Sequence, residues 1–183
     1  MENRSDSGLV RLAAEGDVKA FETLITRHRS AAGAYILSRV PNREDAEDIA
    51  QETMLAAWRN IAAYNGGSSF KTWLIAIARR KIADLYRSGY ANESAELDCD
   101  MPDGDIYCDE NGLETVAVAA DLSDAIKRLG GGERELVFLI YRAGFTYEEA
   151  AEITGAPVGT IKSRMSAVRA KLKKYLGEGY NGL

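Results

Sequence analysis

The 183-residue sequence predicts an all-α protein: two small helical domains joined by a flexible acidic linker. It has only three prolines, and its alanine- and leucine-rich segments repeat apolar residues at helical spacing. Ten acids and no lysine or arginine occur from Gly89 to Asp121, which is the composition of a linker. We therefore expect domains at 1–88 and 121–177, a linker at 89–120 and a tail at 178–183.

The composition of the sequence excludes several classes of protein. Hydrophobic residues make up 46% and charged residues 28%, as in ordinary globular proteins. No apolar run approaches the roughly 18 residues that span a bilayer, and the polar N-terminus is no signal peptide, so we expect a cytoplasmic protein. Cys99, Cys108 and His28 lack the spacing of a zinc site, and two cysteines cannot form a disulfide framework. We expect no metal and no cofactor.

The first two predicted helices carry few residues that indicate a function. Apolar residues from Leu9 to Ala13 predict a short helix, and Asp17 is a suitable N-cap for the next one. That second helix continues until Pro41 and Asn42. His28 lies on its apolar face, where we expect a packed or partly exposed histidine rather than a catalytic one.

The third helix, from Asn42 to Ile61, has two distinct faces. At 100° per residue one side should be buried: Ala46, Ile49, Ala50, Thr53, Ala57 and Ile61. On the other side, Leu55 is surrounded by Asp48, Gln51 and Glu52. An apolar residue inside a polar rim is typical of a protein contact, although one exposed leucine is also ordinary.

A glycine-hinged loop and a basic helix follow. Asn60, Tyr64 and Asn65 in the loop 60–69 offer stacking and hydrogen bonding. The helix 70–87 has a net charge of about +4, and its expected core residues are Phe70, Trp73, Leu74, Ile77, Ala78 and Leu85. Aromatic groups beside cations suit single-stranded nucleic acid, because rings stack on unpaired bases and cations hold the backbone.

The C-terminal domain is predicted to have four helices. Leu122 to Leu129 forms the first, the glycines 130–132 break it, and Glu133 to Arg142 should form a central apolar helix. Tyr147 to Ile153 predicts a third, which ends at Gly155 before Pro157.

The last helix, from Val158 to Leu176, completes a helix-turn-helix. Its expected buried residues are Ile161, Met165, Val168 and Leu172. It carries six positive charges and no negative one, although the whole chain has a net charge of −5. The start of such a helix enters the DNA major groove, while bases further along suit phosphates. We expect the first role for Thr160, Lys162, Ser163 and Arg164, and the second for Arg169 to Lys174.

Three of these segments resemble the extracytoplasmic-function sigma factors of bacterial RNA polymerase, members of the sigma-70 family. DAEDIAQETMLAAWRNI (45–61) looks like the region 2 helix, FKTWLIAIARRKIADLYR (70–87) is similar to the adjoining helix, and GFTYEEAAEITGAPVGTIKSRMSAVRAKL (144–172) resembles the region 4 helix-turn-helix. The segments occur in the family's order and spacing. One departure is Leu129 followed by three glycines, where the family commonly has Leu-Pro, so we expect a looser turn.

The resemblance implies a role for each surface. Core polymerase, through its β′ clamp helices, would bind Asp45, Asp48, Gln51, Glu52 and Leu55. The promoter −10 element would contact Asn60, Tyr64, Asn65, Arg79, Arg80 and Arg87. The −35 element would contact Thr160, Lys162, Ser163, Arg164, Arg169 and Lys171. The implied partners are therefore core RNA polymerase (β′ clamp helices and β flap), promoter DNA and an anti-sigma factor, often membrane-bound, that would hold the protein there; no small-molecule substrate is implied.

Two other functions fit parts of the sequence. One is an ordinary helix-turn-helix regulator with a dimerising or ligand-sensing N-terminal half. The other is a sigma-like decoy that binds an anti-sigma factor and never contacts promoters, although such a decoy would not need the basic last helix. We expect no enzyme, since the sequence shows no nucleophile–base pair, phosphate-binding loop or metal cluster, and only one histidine.

Overall fold

The computed structural model describes residues 4–89 and 115–176, and the chain forms two compact units. The helices before the gap are α1 (Asp6–Ala14), α2 (Val18–Leu37), α3 (Arg43–Asn60), a 3-10 turn (Ile61–Ala63) and α4 (Phe70–Gly89). After the gap come α5 (Thr115–Lys127), α6 (Gly131–Val137), a π-helical segment (Phe138–Arg142), α7 (Tyr147–Thr154) and α8 (Val158–Leu176). No strand occurs in these two ranges, and the predicted all-α class is confirmed.

The N-terminal helices begin at residues that satisfy otherwise unpaired backbone N–H groups. Asp17 accepts a hydrogen bond from the Ala20 N–H at 3.1 Å, which confirms it as the N-cap of α2. Asn42 accepts from the N–H groups of Glu44 and Asp45 at the start of α3. These acids in the first turn also interact favourably with the helix dipole.

The N-terminal unit packs its helices around one apolar core. Leu9 and Ala13 from α1 meet Phe21 and Leu24 from α2, together with Phe70 at the start of α4. The predicted buried face of α3 is largely confirmed: Ala46, Ile49, Thr53, Ala57 and Ile61 are buried. Ala50 is half-buried.

The buried face of α4 differs in part from the prediction. Ile75 and Ile82 are buried, although the sequence analysis did not assign them to the core. Of the residues that were predicted, Trp73 and Ile77 are half-buried and pack against the core, and Leu85 is half-buried. Both faces of α4 are rich in isoleucine and alanine, so periodicity alone could not fix which of them packs against α2 and α3.

In the C-terminal unit, the helix predicted from Glu133 to Arg142 begins earlier than expected and is not α-helical throughout. It begins at Gly131 and turns into a π-helical segment after Val137. At the three-glycine break, Gly130 donates its N–H to the Glu133 carboxylate at 3.2 Å, in the capping box at the start of α6. The Leu129 N–H donates a hydrogen bond to the Ile126 carbonyl and closes the turn at the end of α5.

The helix-turn-helix forms as its sequence predicts. Thr146 and Glu149 form a capping box at the start of α7, with N···O distances of 3.1 and 3.0 Å. Gly155 ends the helix with φ of +73°, a conformation that favours glycine. The four residues predicted to face the core from α8 are all buried: Ile161, Met165, Val168 and Leu172.

Most of the predicted acidic linker, including Cys99 and Cys108, lies outside the described residues. At its two ends the structure shows helix, since α4 continues to Gly89 and α5 begins at Thr115. Within the described parts of the chain, no helix is long and apolar enough to cross a membrane.

Candidate functional site

The acidic face of α3 is a continuous exposed surface. Asp45, Asp48, Gln51, Glu52 and Leu55 are all exposed, and at 100° per residue they span about 120° of the helix circumference. Leu55 retains 54% of its accessible surface. The structure therefore brings together all five residues of the predicted polymerase-binding set, with the leucine beside carboxylates.

One member of this face is linked to the neighbouring helix. Glu52 Oε2 lies 3.1 Å from Lys81 Nζ on α4. Both side chains keep substantial solvent contact, so the pair contributes little to folding stability and can exchange partners. It places a positive charge beside the acidic face.

The loop between α3 and α4 is held by its own polar groups. Asn60 donates from its amide to the Ala56 carbonyl at 2.8 Å, and Asn65 accepts from the Gly67 N–H at 3.0 Å. Gly66, between Asn65 and Gly67, has φ of +73° and makes the sharp turn. Both asparagines are exposed: Asn60 is the last residue of α3, and Asn65 lies in the loop, where it stabilises the turn.

Tyr64 lies with its ring in an aromatic cluster at the base of this loop. The ring centroid is 5.0 Å from that of Trp73 and 6.0 Å from that of Phe70, the latter at a perpendicular angle. Its hydroxyl donates to the Ser68 carbonyl, and burial raises the pKa of Tyr64. The predicted stacking residue is therefore half-buried and supports the loop as well as lying on it.

The three arginines assigned to α4 do not form one cluster. Arg80 and Arg87 are exposed and about 20° apart around the helix, whereas Arg79 lies about 80–100° from them and is half-buried. Arg87 pairs with Asp84 at 3.0 Å, an exposed contact that a phosphate can replace. The structure thus presents two exposed cations on one face of this helix, two turns and about 10 Å apart along its axis.

At the start of α8, Lys162, Ser163 and Arg164 are exposed and Thr160 is half-buried. Ser163 donates to the Thr160 carbonyl at 3.0 Å. The buried residues that follow hold the opposite side of the helix in the core, so these side chains are presented to solvent on a rigid element.

The two bases assigned further along α8 engage groups of their own unit. The side chains of Tyr147 and Tyr141 lie near Arg169 and raise the pKa of its guanidinium. Lys171 Nζ lies 2.7 and 2.9 Å from the two carboxylate oxygens of Glu133, and these hydrogen bonds raise the pKa of Lys171. The predicted −35 set therefore divides into an exposed group at the helix start and two residues that also brace the fold.

The sequence analysis missed a polar cluster beside the loop. Asp6 in α1 contacts His28 at 2.6 Å and Arg27 at 2.8 Å, both on α2. Burial alone would raise the pKa of Asp6, but the hydrogen bonds from Arg27 and His28 outweigh it, and the pKa is lowered. No local sequence pattern indicates a contact between residues this far apart in the chain. From the sequence, Asp6 is an ordinary acid in the first turn of a helix.

Comparison with known families covers both units. Residues 24–90 match the family described as Sigma-70 region 2, and residues 119–172 match Sigma-70, region 4.

Individual proteins are similar over nearly the whole chain. RNA polymerase sigma factor NccH of Alcaligenes xylosoxydans xylosoxydans is 31% identical, over 93% of this chain and 94% of NccH. The solved structure of CnrH with the cytosolic domain of CnrY has a TM-score of 0.66 at 27% identity, and covers 93% of this chain and 96% of that one. The sigma factor RpoE of Bartonella quintana, solved with the anti-sigma factor NepR, has a TM-score of 0.64 at 30% identity, with coverage of 87% and 98%.

Proposed function

Because this chain belongs to the extracytoplasmic-function sigma factors of the sigma-70 family, we propose that its three exposed surfaces divide the work of promoter-specific initiation between them. A sigma factor binds core RNA polymerase and directs it to promoters. The surfaces are the acidic face of α3, the loop 60–69 with α4, and the start of α8.

The acidic face of α3 binds core polymerase. Its support is geometric: one exposed leucine projects from a helix face that otherwise carries carboxylates and an amide, on a helix whose opposite side is buried in the core. Desolvating the leucine supplies affinity, and the surrounding charges select the partner and its orientation. The carboxylates require a basic surface opposite them.

The loop 60–69 and α4 bind the −10 element and stabilise its melted strand. Asn60 at the end of α3 and Asn65 in the loop offer exposed amides, and Arg80 and Arg87 lie two turns apart on one face of α4 for the phosphates. Unstacking a base costs a few kcal/mol, which contacts to the extruded base must offset. A loop already folded before binding loses less conformational entropy when it captures that base.

The start of α8 reads the −35 element. Lys162, Ser163 and Arg164 are exposed there on the second helix of a helix-turn-helix, the position that meets base edges in the major groove. Thr160 lies half-buried at the same end. Arg169 and Lys171 contact backbone phosphates by exchanging their partners within the unit for the DNA.

The three surfaces act together because each binds weakly alone. The chain carries a net charge of −5, and phosphate attraction dominates nonspecific DNA affinity, so the free protein binds DNA poorly. Docking on polymerase places two DNA-reading surfaces on one promoter, where their affinities multiply. Core polymerase thereby controls access to DNA.

An anti-sigma factor regulates this activity. RpoE of Bartonella quintana was solved with the anti-sigma factor NepR, and CnrH with a cytosolic domain of CnrY. By analogy, a protein of that kind covers the polymerase-binding face of this chain in the cytoplasm and, where it is membrane-bound, holds the chain at the membrane. The chain itself performs no enzymatic reaction.

The observation that carries the proposal is the presence of both sigma-70 regions in one chain, each with its exposed surface intact. Run-off transcription on a library of genomic fragments tests it. Core polymerase with the purified chain should give transcripts of discrete length that core alone does not. The absence of any discrete transcript, at concentrations where the chain binds core, would overturn it.

A further inference from the structure

Helix α1 lies outside the residues that match region 2, yet it packs against the base of the DNA-binding loop. The region 2 match covers residues 24–90, and α1 spans Asp6–Ala14. It contacts the 3-10 turn Ile61–Ala63 directly. Leu9 and Ala13 are buried in the same core cluster as Ile61. The first turn of the loop therefore rests on α1.

A carboxylate fastens the N-terminal end of α1 to α2. Asp6 Oδ2 lies 2.6 Å from His28 Nε2, and Asp6 Oδ1 lies 2.8 Å from Arg27 Nη1. The same Arg27 nitrogen donates to the Arg4 carbonyl at 2.8 Å. A nine-residue helix is marginal by itself, so its position depends on such tertiary contacts.

From His28 a chain of ring contacts leads to the loop. Its imidazole lies 5.5 Å from the Phe70 ring, and Phe70 meets Tyr64 edge-on at 6.0 Å. Tyr64 in turn donates to the Ser68 carbonyl on the far side of the loop. His28 thus contacts α1 through a ring nitrogen and also lies against Phe70 of the aromatic cluster, with the two rings tilted by 48°.

We propose that α1, fastened by Asp6 to His28, is a positioning element that holds the loop 60–69 in its base-capturing conformation, so that Asp6 promotes DNA melting without contacting DNA. This inference rests on the proposed role of the loop in −10 melting. Without the Asp6 contacts, both α1 and the ring contacts become more mobile. The loop then loses more conformational entropy than in the wild type when it binds an unpaired base. Docking on polymerase, which uses the outer face of α3, is unaffected.

The test compares Asp6→Ala, His28→Phe and the double variant with the wild-type chain in complete holoenzyme. His28→Phe keeps an aromatic ring against Phe70 and removes the contact to Asp6. Open-complex formation is measured on one promoter in two forms, fully double-stranded and already unpaired at the −10 element. Core affinity is measured in parallel by fluorescence anisotropy.

Glu15→Gln is the control for loss of a carboxylate from the same helix. Glu15 follows the last turn of α1, about 13 Å along the axis from Asp6. Asp6→Asn, with a side chain of equal size, replaces Asp6→Ala if the latter lowers the folded fraction at the assay temperature.

Asp6→Ala should slow opening of the double-stranded promoter roughly three- to fivefold, which corresponds to about 0.6–1 kcal/mol for loss of a partly exposed ion pair. The pre-opened promoter should restore activity to within about twofold, and core affinity should not change. Because Asp6 acts through His28, the double variant should be no slower than the worse single variant. Glu15→Gln should behave as wild type.

Equal losses on both templates, or no loss on either, would overturn the inference while leaving the proposed function intact. Additive effects in the double variant would likewise exclude action through His28. A wild-type chain that binds core and opens neither promoter form would instead overturn the proposed function.

Amide hydrogen exchange on the full-length chain gives a readout independent of transcription. Asp6→Ala should speed exchange within the segment 61–69 and leave the central turns of α3 unchanged. Equally faster exchange in the segment 61–69 and in α3 would mean that Asp6 only stabilises the fold, and would count against a positioning role.

Discussion

Lys171, near the end of α8, lies 2.7 Å from Glu133, at the start of α6. The same carboxylate accepts a hydrogen bond from the Gly130 N–H, so one glutamate caps α6 and also links it to α8. This relationship separates two kinds of lysine on α8. Lys171 has a partner within the fold, whereas Lys162 is exposed at the start of α8, the end that we propose binds DNA.

Lys162→Ala should therefore affect DNA binding more than Lys171→Ala. Losing one phosphate or base contact weakens promoter binding and lowers the slope of log affinity against log salt by about 1. Lys171→Ala should lower that slope less and slightly reduce the free energy of unfolding, because it removes an exposed ion pair with Glu133. Holoenzyme–promoter titrations in a salt series and urea unfolding measure both. Equal slopes for the two variants would contradict the distinction.

Leu55→Ala should weaken binding to core polymerase. Truncating an apolar anchor at the centre of an interface costs about 1–3 kcal/mol, which corresponds to a roughly 5- to 150-fold rise in Kd. Leu37→Ala on α2 is a matched control, since its side chain is 56% exposed against 54% for Leu55. Anisotropy titrations against core measure the Kd of each. Equal effects of the two substitutions would argue against the α3 face.

Reversing two charges at the start of α8 distinguishes an initiator from a sigma-like decoy. Lys162→Glu with Arg164→Glu should reduce run-off transcription at least about tenfold, because two favourable contacts to DNA become repulsive. Core binding should be retained. Lys19→Glu with Arg29→Glu, exposed positions on α2, controls for the change in net charge. A chain that acts only as a decoy would show no difference between the two variants.

The contribution of Asp6 to stability should depend on pH in the acid range. Its folded pKa is lowered from 3.8, so its stabilising effect is complete above that value and is lost as the pH falls through the lower folded pKa. Because the side chain is 38% exposed, the effect at pH 5 should be only about 0.2–1 kcal/mol. Urea unfolding of wild type and Asp6→Asn between pH 5 and 2.5 should show their difference shrinking. A difference that grows as pH falls would contradict this sign.

Gly155→Ala and Gly159→Ala should change stability in opposite directions. Gly155 has φ of +73°, where alanine costs about 1–2 kcal/mol. Gly159 lies within α8 with open space around its Cα, so alanine there should stabilise by about 0.5–1 kcal/mol. Thermal unfolding measures both. Destabilisation by Gly159→Ala of the same size would show that the turn conformation is not the cause.

The parts of the fold that sequence predicted well depend on local chemistry. Asp17 and Asn42 cap their helices, Gly155 ends α7, and the buried positions of α8 follow from their spacing alone. The π-helical segment after Val137 was not predicted, because an apolar run shows only that a helix is buried and not how tightly it is wound.

Most of the candidate site was predictable as exposed residues, although Tyr64, Arg79 and Thr160 are half-buried, and its contacts were not predictable. Periodicity placed Leu55 and its acidic neighbours on one face of α3. It could not show that Lys171 pairs with Glu133 or that Asp6 pairs with His28, since both contacts join separate helices. Long-range pairs of this kind depend on tertiary packing, and no local pattern encodes them.

Mapping RNA 5′ ends tests the central claim most directly. Core polymerase is incubated with genomic DNA, with and without the purified chain, and the 5′ end of every transcript is sequenced. The account predicts a limited set of new start sites that share two upstream DNA elements, and predicts that Lys162→Glu with Arg164→Glu abolishes starts that depend on the upstream one. Start sites identical with and without the chain, under conditions where it binds core, would contradict the account.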